Sequence, residues 1–115
     1  MGYNNHMFEI EHYLTEEGQD LIGGWLSGLQ DNHAKARIAM RINRLKSGNF
    51  GDCKPLDEGV WELRIDWGPG YRIYYAQAGQ VLMLLLLGGD KRKQATDIKQ
   101  AKECWKDYKK RSKSK

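Results

Sequence analysis

Two short runs of alternating apolar and polar residues, separated by a glycine-proline-glycine break, constrain the fold of this chain most. Residues 60–67 read VWELRIDW, and residues 71–75 read YRIYY. A period of two is typical of a strand with one buried face. The break at residues 68–70 supplies glycines, which readily adopt the positive φ angles that a tight reversal needs. The sequence therefore predicts a β-hairpin at the centre of the fold.

The hairpin carries one arginine on each strand, Arg64 and Arg72. If the apolar residues face the core, both arginines project from the opposite, open face, where cross-strand neighbours lie about 5–8 Å apart. Two guanidinium groups repel each other, so their pairing indicates a site for an anion. The alternative is that they are ordinary solvated charges paired with Glu62 or Asp66, because exposed ion pairs are common and cost little.

Length and composition predict one domain in a reducing compartment. The 115 residues suffice for a single core without covalent staples, and we assign it to residues 7–111, with a cloning remnant at 1–6 and a basic tail at 112–115. Cys53 and Cys104 fit no metal-ligand spacing and are too few for a disulfide scaffold. No membrane span or secretory signal is evident in the sequence. We therefore expect a cytoplasmic protein without a metal or other cofactor.

Positive charge is concentrated at the C-terminal end. Residues 1–90 carry 8 Lys/Arg and 12 Asp/Glu, a net charge of −4, whereas residues 91–115 carry 11 and 3, a net charge of +8. A basic segment of this kind indicates a polyanionic partner, most often nucleic acid. A lysine-rich solubilising tail is the alternative.

The remaining patterns predict an α+β domain. Alternation over residues 7–13 indicates a strand near an edge, and helical spacing follows in two segments. Thr15 is the predicted cap of the first helix, and Asp31 or Asn32 caps the second, which runs through Leu45. We expect this helical hairpin to pack on a mainly antiparallel sheet of four to five strands with a C-terminal helix. The other predicted elements are an extended piece at 53–57, a doubly buried strand at 81–87 and a helix from 94 to about 111.

Two groups of cations invite a functional interpretation. The run Gly88-Gly-Asp-Lys-Arg-Lys93 places three cations beside glycines that let a ligand approach the backbone closely. The second helix carries Lys35, Arg37, Arg41 and Arg44, whose spacing spreads them around a broad surface. For that helix an ordinary solvated face is favoured over a helix that reads nucleic acid.

An ordered set of motifs makes the chain resemble the RelE/ParE superfamily of bacterial toxins, and above all the HigB-like, phage-related addiction-module killer proteins. The resemblance covers about residues 7–110. It implies a toxin that cleaves messenger RNA, commonly on the ribosome, and that a helix-turn-helix, HigA-like antitoxin silences. The motifs that carry it are Lys54-Pro-Leu56, Val60-Trp-Glu-Leu-Arg64, Gly70-Tyr-Arg72, Leu87-Gly-Gly-Asp-Lys91 and the helix containing Trp105.

The resemblance also implies roles for individual residues. Arg72 matches the arginine that contacts the scissile phosphate in RelE-type toxins. Arg64 occupies the place of a catalytic lysine, and Lys91 or Arg92 falls where another active-site arginine lies. Further RNA contacts are expected from Lys54, Tyr71, Arg92 and Lys93.

The chain departs from the RelE pattern at the general base. The tyrosine expected after the last strand is replaced by residues 94–98, Gln-Ala-Thr-Asp-Ile, and no histidine lies near the basic cluster. Asp90 and Tyr71 are the candidate bases, although Asp90 also fits a turn cap and Tyr71 a core position. Lys91 could act as a base only if its neighbouring cations lowered its pKa.

Metal-independent RNA cleavage needs a base for the 2′-hydroxyl, positive charge at the non-bridging oxygens and an acid for the 5′-oxygen. Arginine suits the second role, because it stays charged and donates bidentately to phosphate. The nuclease interpretation requires Arg64, Arg72 and Lys91 to converge on one patch, and it fails if each is locked to its own carboxylate. Its competitors are a ParE-like toxin that binds DNA gyrase without nuclease activity and a non-catalytic RNA-binding module.

Overall fold

The computed structural model describes residues 7–113, so the proposed remnant at 1–6 and the last two residues of the basic tail lie outside it. Two short 3-10 turns, at Asp57–Gly59 and Lys91–Lys93, precede β3 and α3 respectively. The described elements, in chain order, are β1 (Glu9–His12), α1 (Leu21–Gly28), α2 (Asn32–Lys46), β2 (Cys53–Pro55), β3 (Trp61–Ile65), β4 (Tyr71–Ala78), β5 (Leu82–Asp90) and α3 (Gln94–Lys113).

The five strands form one sheet in the order β1-β5-β4-β3-β2. β1 pairs with β5 in parallel, and the other three pairings are antiparallel. The α+β class, the edge position of the first strand and the central hairpin of β3 and β4 are thereby confirmed. β5 lies inside the sheet between β1 and β4, which explains its nearly continuous apolar sequence.

Aspartate side chains cap the N-terminal ends of α1 and α2. Asp31 accepts hydrogen bonds from the backbone of His33 and Ala34 at the start of α2, as predicted. The first helix begins later than predicted, because Asp20 caps it by accepting from the Gly23 backbone N–H at 2.9 Å. Thr15 is therefore not a helix cap. Its hydroxyl accepts from the backbone of a residue four positions later and closes a turn.

Each face of the sheet is covered by helices. The α1–α2 hairpin packs on the face that carries Leu63 and Ile73, and α3 packs on the face that carries Val60 and Tyr74. The expectation of an open second face is therefore wrong along most of the hairpin. Glu62, predicted to be a surface charge, is 1% exposed beneath α3. The end of this face at Arg64 stays accessible.

The two glycines near the end of β5 serve the fold rather than a ligand. A Cβ at Gly88 would overlap the Trp25 ring from the helical hairpin, and a Cβ at Gly89 would overlap the Asp97 carboxylate from α3. The expectation that these glycines let a ligand approach is therefore wrong. They let side chains of the protein itself approach from both faces.

α3 continues to Lys113, two residues past the predicted end at Arg111. Its last turns are stabilised by an i, i+4 ion pair between Asp107 and Arg111, with the closest atoms 2.6 Å apart. Among residues 7–113, no helix has the length and apolar character needed to cross a membrane.

Candidate active site: a cationic cleft

Three of the predicted cations line a single cleft of about 470 Å³ at one end of the sheet. Arg64 comes from β3, Arg72 from β4 and Lys91 from the turn that follows β5. The structure thus brings together groups from three separate segments of the chain. We call this site the cationic cleft. It is lined by Asp52, Arg64, Asp66, Gly68, Pro69, Gly70, Arg72 and Lys91.

The backbone of neighbouring strands sets the spacing of these side chains. Arg64 pairs directly with Arg72, and Arg72 pairs with Gly89 on the other side, so the two arginine Cβ atoms are about 5 Å apart. The β3–β4 loop turns through Gly70, at φ 83°, which a residue with a Cβ would adopt only under strain. The Lys91 backbone N–H donates to the Gly70 carbonyl at 2.9 Å, which holds the lysine beside the hairpin.

Arg72 is the more enclosed of the two arginines, with a side chain 12% exposed. Its Nε lies 3.7 Å from a carboxylate oxygen of Glu62, which is an ion-pair distance but too long for a good hydrogen bond. This Nε has no hydrogen-bond partner among the described residues. One terminal nitrogen donates to the Tyr71 carbonyl at 3.4 Å. The guanidinium is thus held in place but not saturated.

Arg64 lies at the solvent side of the cleft. Its Nη2 donates to the Asp52 carboxylate at 3.1 Å, and the two side chains are 39% and 55% exposed. An ion pair this exposed contributes about 0–1 kcal/mol, so a phosphate can displace it readily. Arg41 of α2 donates to the backbone carbonyls of Arg64 and Asp52, which fixes the backbone under the pair.

The convergence that the nuclease interpretation requires is therefore present, and the ion pairs are incomplete. Arg64 and Arg72 each have a carboxylate neighbour, Asp52 and Glu62. For Lys91, no carboxylate lies within 4 Å among residues 7–113. The cleft thus keeps guanidinium and ammonium donors available for an anion.

Asp90 lies outside the lining of the cleft and caps the 3-10 turn. Its carboxylate accepts from the Arg92 backbone N–H at 3.0 Å and pairs with the Arg92 guanidinium at 2.9 Å. Hydrogen bonding to that guanidinium lowers the pKa of Asp90 below its ordinary value. These contacts match the predicted capping alternative and direct the carboxylate toward Arg92.

The other predicted RNA-contacting residues also lie outside the cleft lining. Tyr71 is half-buried on the helical-hairpin side of the sheet, with its ring 5.9 Å from that of Trp25 in an edge contact. Lys54 is exposed on β2, opposite Glu62. Arg92 and Lys93 are exposed on the turn after β5. Their roles stay predictions.

A buried polar cluster beneath Arg72 was not predicted from the sequence. Gln94 donates to Glu62 at 2.7 Å, while the other Glu62 oxygen and one Asp97 oxygen have no hydrogen-bond partner among residues 7–113. Burial raises the pKa of Asp97 and of the nearby Tyr74 hydroxyl. The sequence did mark Glu62 as a candidate partner of the arginines. The pattern around Asp97 gave no sign that this residue is buried.

Within residues 7–113, no group of three or more His, Cys, Asp or Glu side chains is placed to hold a metal ion.

Comparison with known proteins identifies the family. Residues 24–109 match the model of the family described as "Phage derived protein Gp49-like (DUF891)". The chain belongs to this family. The Gp49-like family is associated with toxin-antitoxin systems and is related to the RelE and HigB toxins. That confirms the toxin-antitoxin part of the resemblance and implies an antitoxin partner.

A relative in Haemophilus influenzae, described only as an uncharacterized protein, is 56% identical over 78 residues. The alignment covers 68% of this chain and 79% of the relative. The matched region of the Gp49-like model contains the whole cationic cleft.

Proposed function

We propose that this Gp49-like protein is the toxin of a type II toxin-antitoxin module and that it cleaves messenger RNA without a metal ion, on the ribosome. The observation that carries the proposal is the convergence of Arg64, Arg72 and Lys91, from three separate segments, on one cleft. A cleft lined by one sign of charge attracts a polyanion and can hold a phosphodiester between fixed donors.

The reaction is a transesterification. The RNA 2′-oxygen attacks the adjacent phosphorus, the O2′–P bond forms and the P–O5′ bond breaks. The proton of the 2′-hydroxyl goes to a base, and the departing 5′-oxygen takes a proton from an acid. The products are a 2′,3′-cyclic phosphate and a 5′-hydroxyl end. Negative charge grows on the non-bridging oxygens in the transition state, so fixed cations stabilise it more than the ground state.

The positions of the cations suggest their roles. Arg72 is anchored by Glu62 and is the more rigid donor, which suits the non-bridging oxygens of the scissile phosphate. Arg64 is more exposed and donates to the same phosphate once Asp52 releases it. Lys91 stands on the turn and serves as the acid for the 5′-oxygen.

Asp66 is the base in this proposal. It lines the cleft, and no hydrogen bond or ion pair engages it within the described part of the chain. The carboxylate of Asp90 instead points toward Arg92, and Tyr71 lies toward the helical hairpin. Asp66→Asn is therefore expected to slow cleavage, whereas Asp90→Asn should act mainly by loosening the turn.

The test is induced expression with mapping of transcript 5′ ends. Wild type should produce discrete cleaved transcripts, and the Arg64→Ala/Arg72→Ala double variant should not. The matched control is Lys35→Ala/Lys99→Ala, which removes two exposed cations outside the cleft and should cleave like wild type.

Two results would contradict the nuclease. Growth arrest with DNA breaks and intact transcripts, kept in the double variant, would indicate the gyrase-binding alternative. Translation arrest with bound but uncleaved RNA would indicate the non-catalytic binding module. An antitoxin of the HigA-like, helix-turn-helix type is the partner we expect, and it should be encoded beside this gene.

A further inference from the structure

A second cleft, of about 540 Å³, lies between α2 and the start of the β3–β4 loop. Arg37 and Arg44 of α2 line it, together with Met40 and Trp67. We call it the α2 cleft. Asp66 lines both this cleft and the cationic cleft, so the two clefts adjoin at this residue of the loop.

The α2 cleft is strongly basic. α2 carries five Lys or Arg residues and no Asp or Glu. For Arg37 and Arg44, no carboxylate lies within 4 Å among residues 7–113. Unpaired arginines on a concave surface indicate an anionic partner. The expectation of an ordinary solvated face did not anticipate that one of these cations, Arg37, lies over a tryptophan ring.

Trp67 gives the α2 cleft a flat apolar surface. The Arg37 guanidinium carbon lies 4.1 Å from the centre of the indole ring. The indole N–H donates to the Asp31 carboxylate at 3.1 Å, which fixes the orientation of the ring. Indole and guanidinium planes are the surfaces on which the bases of single-stranded RNA stack.

Arg41 connects the two clefts structurally. It lines the α2 cleft and donates to the Arg64 backbone carbonyl, so both surfaces are built on the same end of β3. An RNA strand held at the scissile phosphate can therefore continue past Asp66 and reach Trp67 within a few nucleotides. An acidic peptide would neutralise the arginines but has no base to stack against the Arg37 and Trp67 pair, so RNA fits the cleft better.

We propose that the α2 cleft binds the single-stranded RNA that flanks the cleavage position, with a base stacked at Trp67 and Arg37 and phosphates on Arg37 and Arg44. The inference rests on the proposed function, because it extends the same RNA strand out of the cationic cleft. It assigns α2 a role in the affinity for substrate that is separate from the chemical step.

The test measures binding of 2′-O-methyl RNA, which lacks the attacking hydroxyl and cannot be cleaved. Two single strands are compared, of about 4 and about 12 nucleotides, a range that matches known single-strand sites. Arg37→Ala/Arg44→Ala should weaken binding of the longer strand only. Its slope of log affinity against log salt should fall by about 1.4, because about 0.7 is lost for each phosphate contact. Lys35→Ala/Lys46→Ala, which removes two exposed cations of the same helix outside the cleft, is the matched control.

Trp67→Ala should weaken the longer strand about tenfold, as expected for the loss of one stacked base. Because Trp67 also packs partly against the core, its fold is checked by urea denaturation. The arginine double variant alters only exposed side chains and keeps the test decisive if Trp67→Ala is unstable.

The outcomes separate this inference from the nuclease. Cleavage in cells with equal effects of the arginine and lysine double variants would overturn the inference alone. Length-dependent loss of binding without any cleaved transcripts would support the α2 cleft as an RNA site while contradicting the nuclease. Tighter binding of oligoglutamate than of RNA, with the same dependence on Arg37 and Arg44, would assign the cleft to an acidic peptide and overturn the inference.

Discussion

Two polar clusters flank α3, and they differ in how completely their charges are satisfied. Near the C-terminal end, Asp107 accepts from the Tyr13 hydroxyl at 2.6 Å and from Arg111 at 2.6 and 2.9 Å. Arg111 also donates to the Leu14 carbonyl at 2.6 Å. We call this group the Asp107 network. Near the N-terminal end, Arg72 and its surroundings keep several unpaired polar atoms.

The difference separates structural from functional use of charge. An unpaired buried polar atom costs about 1–3 kcal/mol, so a fold tolerates several together only where something else is gained. The hydrogen bonds of the Asp107 network are made within the protein, and they stabilise the junction of β1 with α3. The cluster at Arg72 leaves carboxylate oxygens and the Nε atoms of Arg64 and Arg72 without partners in the described part of the chain, and both of these arginines line the cationic cleft.

The largest expected effect is on cleavage. Arg72→Ala should lower the rate of RNA cleavage by about 10²–10³-fold, the range measured when one transition-state donor is removed. Arg111→Ala removes the same kind of side chain from the Asp107 network and should leave the rate unchanged while lowering stability. Cleavage of ribosome-bound messenger RNA by the purified variants measures both rates. Equal losses of rate would mean that the two clusters do not differ in function.

The second effect is on stability. Asp107→Asn should lower the free energy of unfolding by about 1–2 kcal/mol, because a charged acceptor of three hydrogen bonds is lost. Urea denaturation measures the change. Glu103→Gln, at an exposed position of the same helix, should cost less than about 0.5 kcal/mol. A similar cost for both variants would show that the Asp107 network is not a special source of stability.

The third effect is a contrast in pH dependence. Hydrogen bonding to Tyr13 and Arg111 lowers the pKa of Asp107, so its stabilising contribution is present above the pKa of the unfolded chain and is lost as the pH falls through the folded value. Burial raises the pKa of Asp97, so its contribution is present at low pH and is lost as the pH rises through the folded value.

Asparagine variants make this contrast measurable. We compare the change in the free energy of unfolding, variant minus wild type, at two pH values. For Asp97→Asn this change should be more favourable at a pH of about 7 than at about 3, and for Asp107→Asn it should be less favourable at about 7 than at about 3. Urea denaturation at both pH values gives the two differences. The same sign for both variants would contradict the assignment of opposite pKa shifts.

The smallest effect concerns the exposed pair at the mouth of the cleft. Asp52→Asn should change the free energy of unfolding by less than about 0.5 kcal/mol and should raise affinity for uncleavable RNA about two- to fivefold, because Arg64 is released from its carboxylate. Fluorescence anisotropy with the 2′-O-methyl strand measures the affinity. Weaker binding would instead indicate that Asp52 contacts the RNA.

Much of the fold could be predicted because local patterns carried it. The period of two located β3 and β4, the continuous apolar run located β5, and Asp31 marked the start of α2. The start of α1 was missed because Thr15 and Asp20 are both good caps, and only tertiary contacts choose between them. Asp20 is held by His12 of β1, with the closest atoms 2.9 Å apart.

The cationic cleft could be predicted in part. Strand pairing placed Arg64 beside Arg72, and the chain after β5 returned Lys91 to them. The burial of Glu62 could not be foreseen, because alternation in β3 alone does not show that α3 covers its second face. The α2 cleft was missed for a similar reason, since it depends on the β3–β4 loop lying against α2.

The glycine pair at the end of β5 has a further consequence for how this protein tolerates mutation. Because the Trp25 ring fills the space at Gly88 and the Asp97 carboxylate fills the space at Gly89, alanine at either position would displace a side chain that packs a helix against the sheet. In a saturation mutagenesis library selected for toxicity, substitutions at both glycine codons should therefore be depleted as strongly as substitutions at the arginines. Read without the structure, two glycines that line neither cleft would pass for members of the active site.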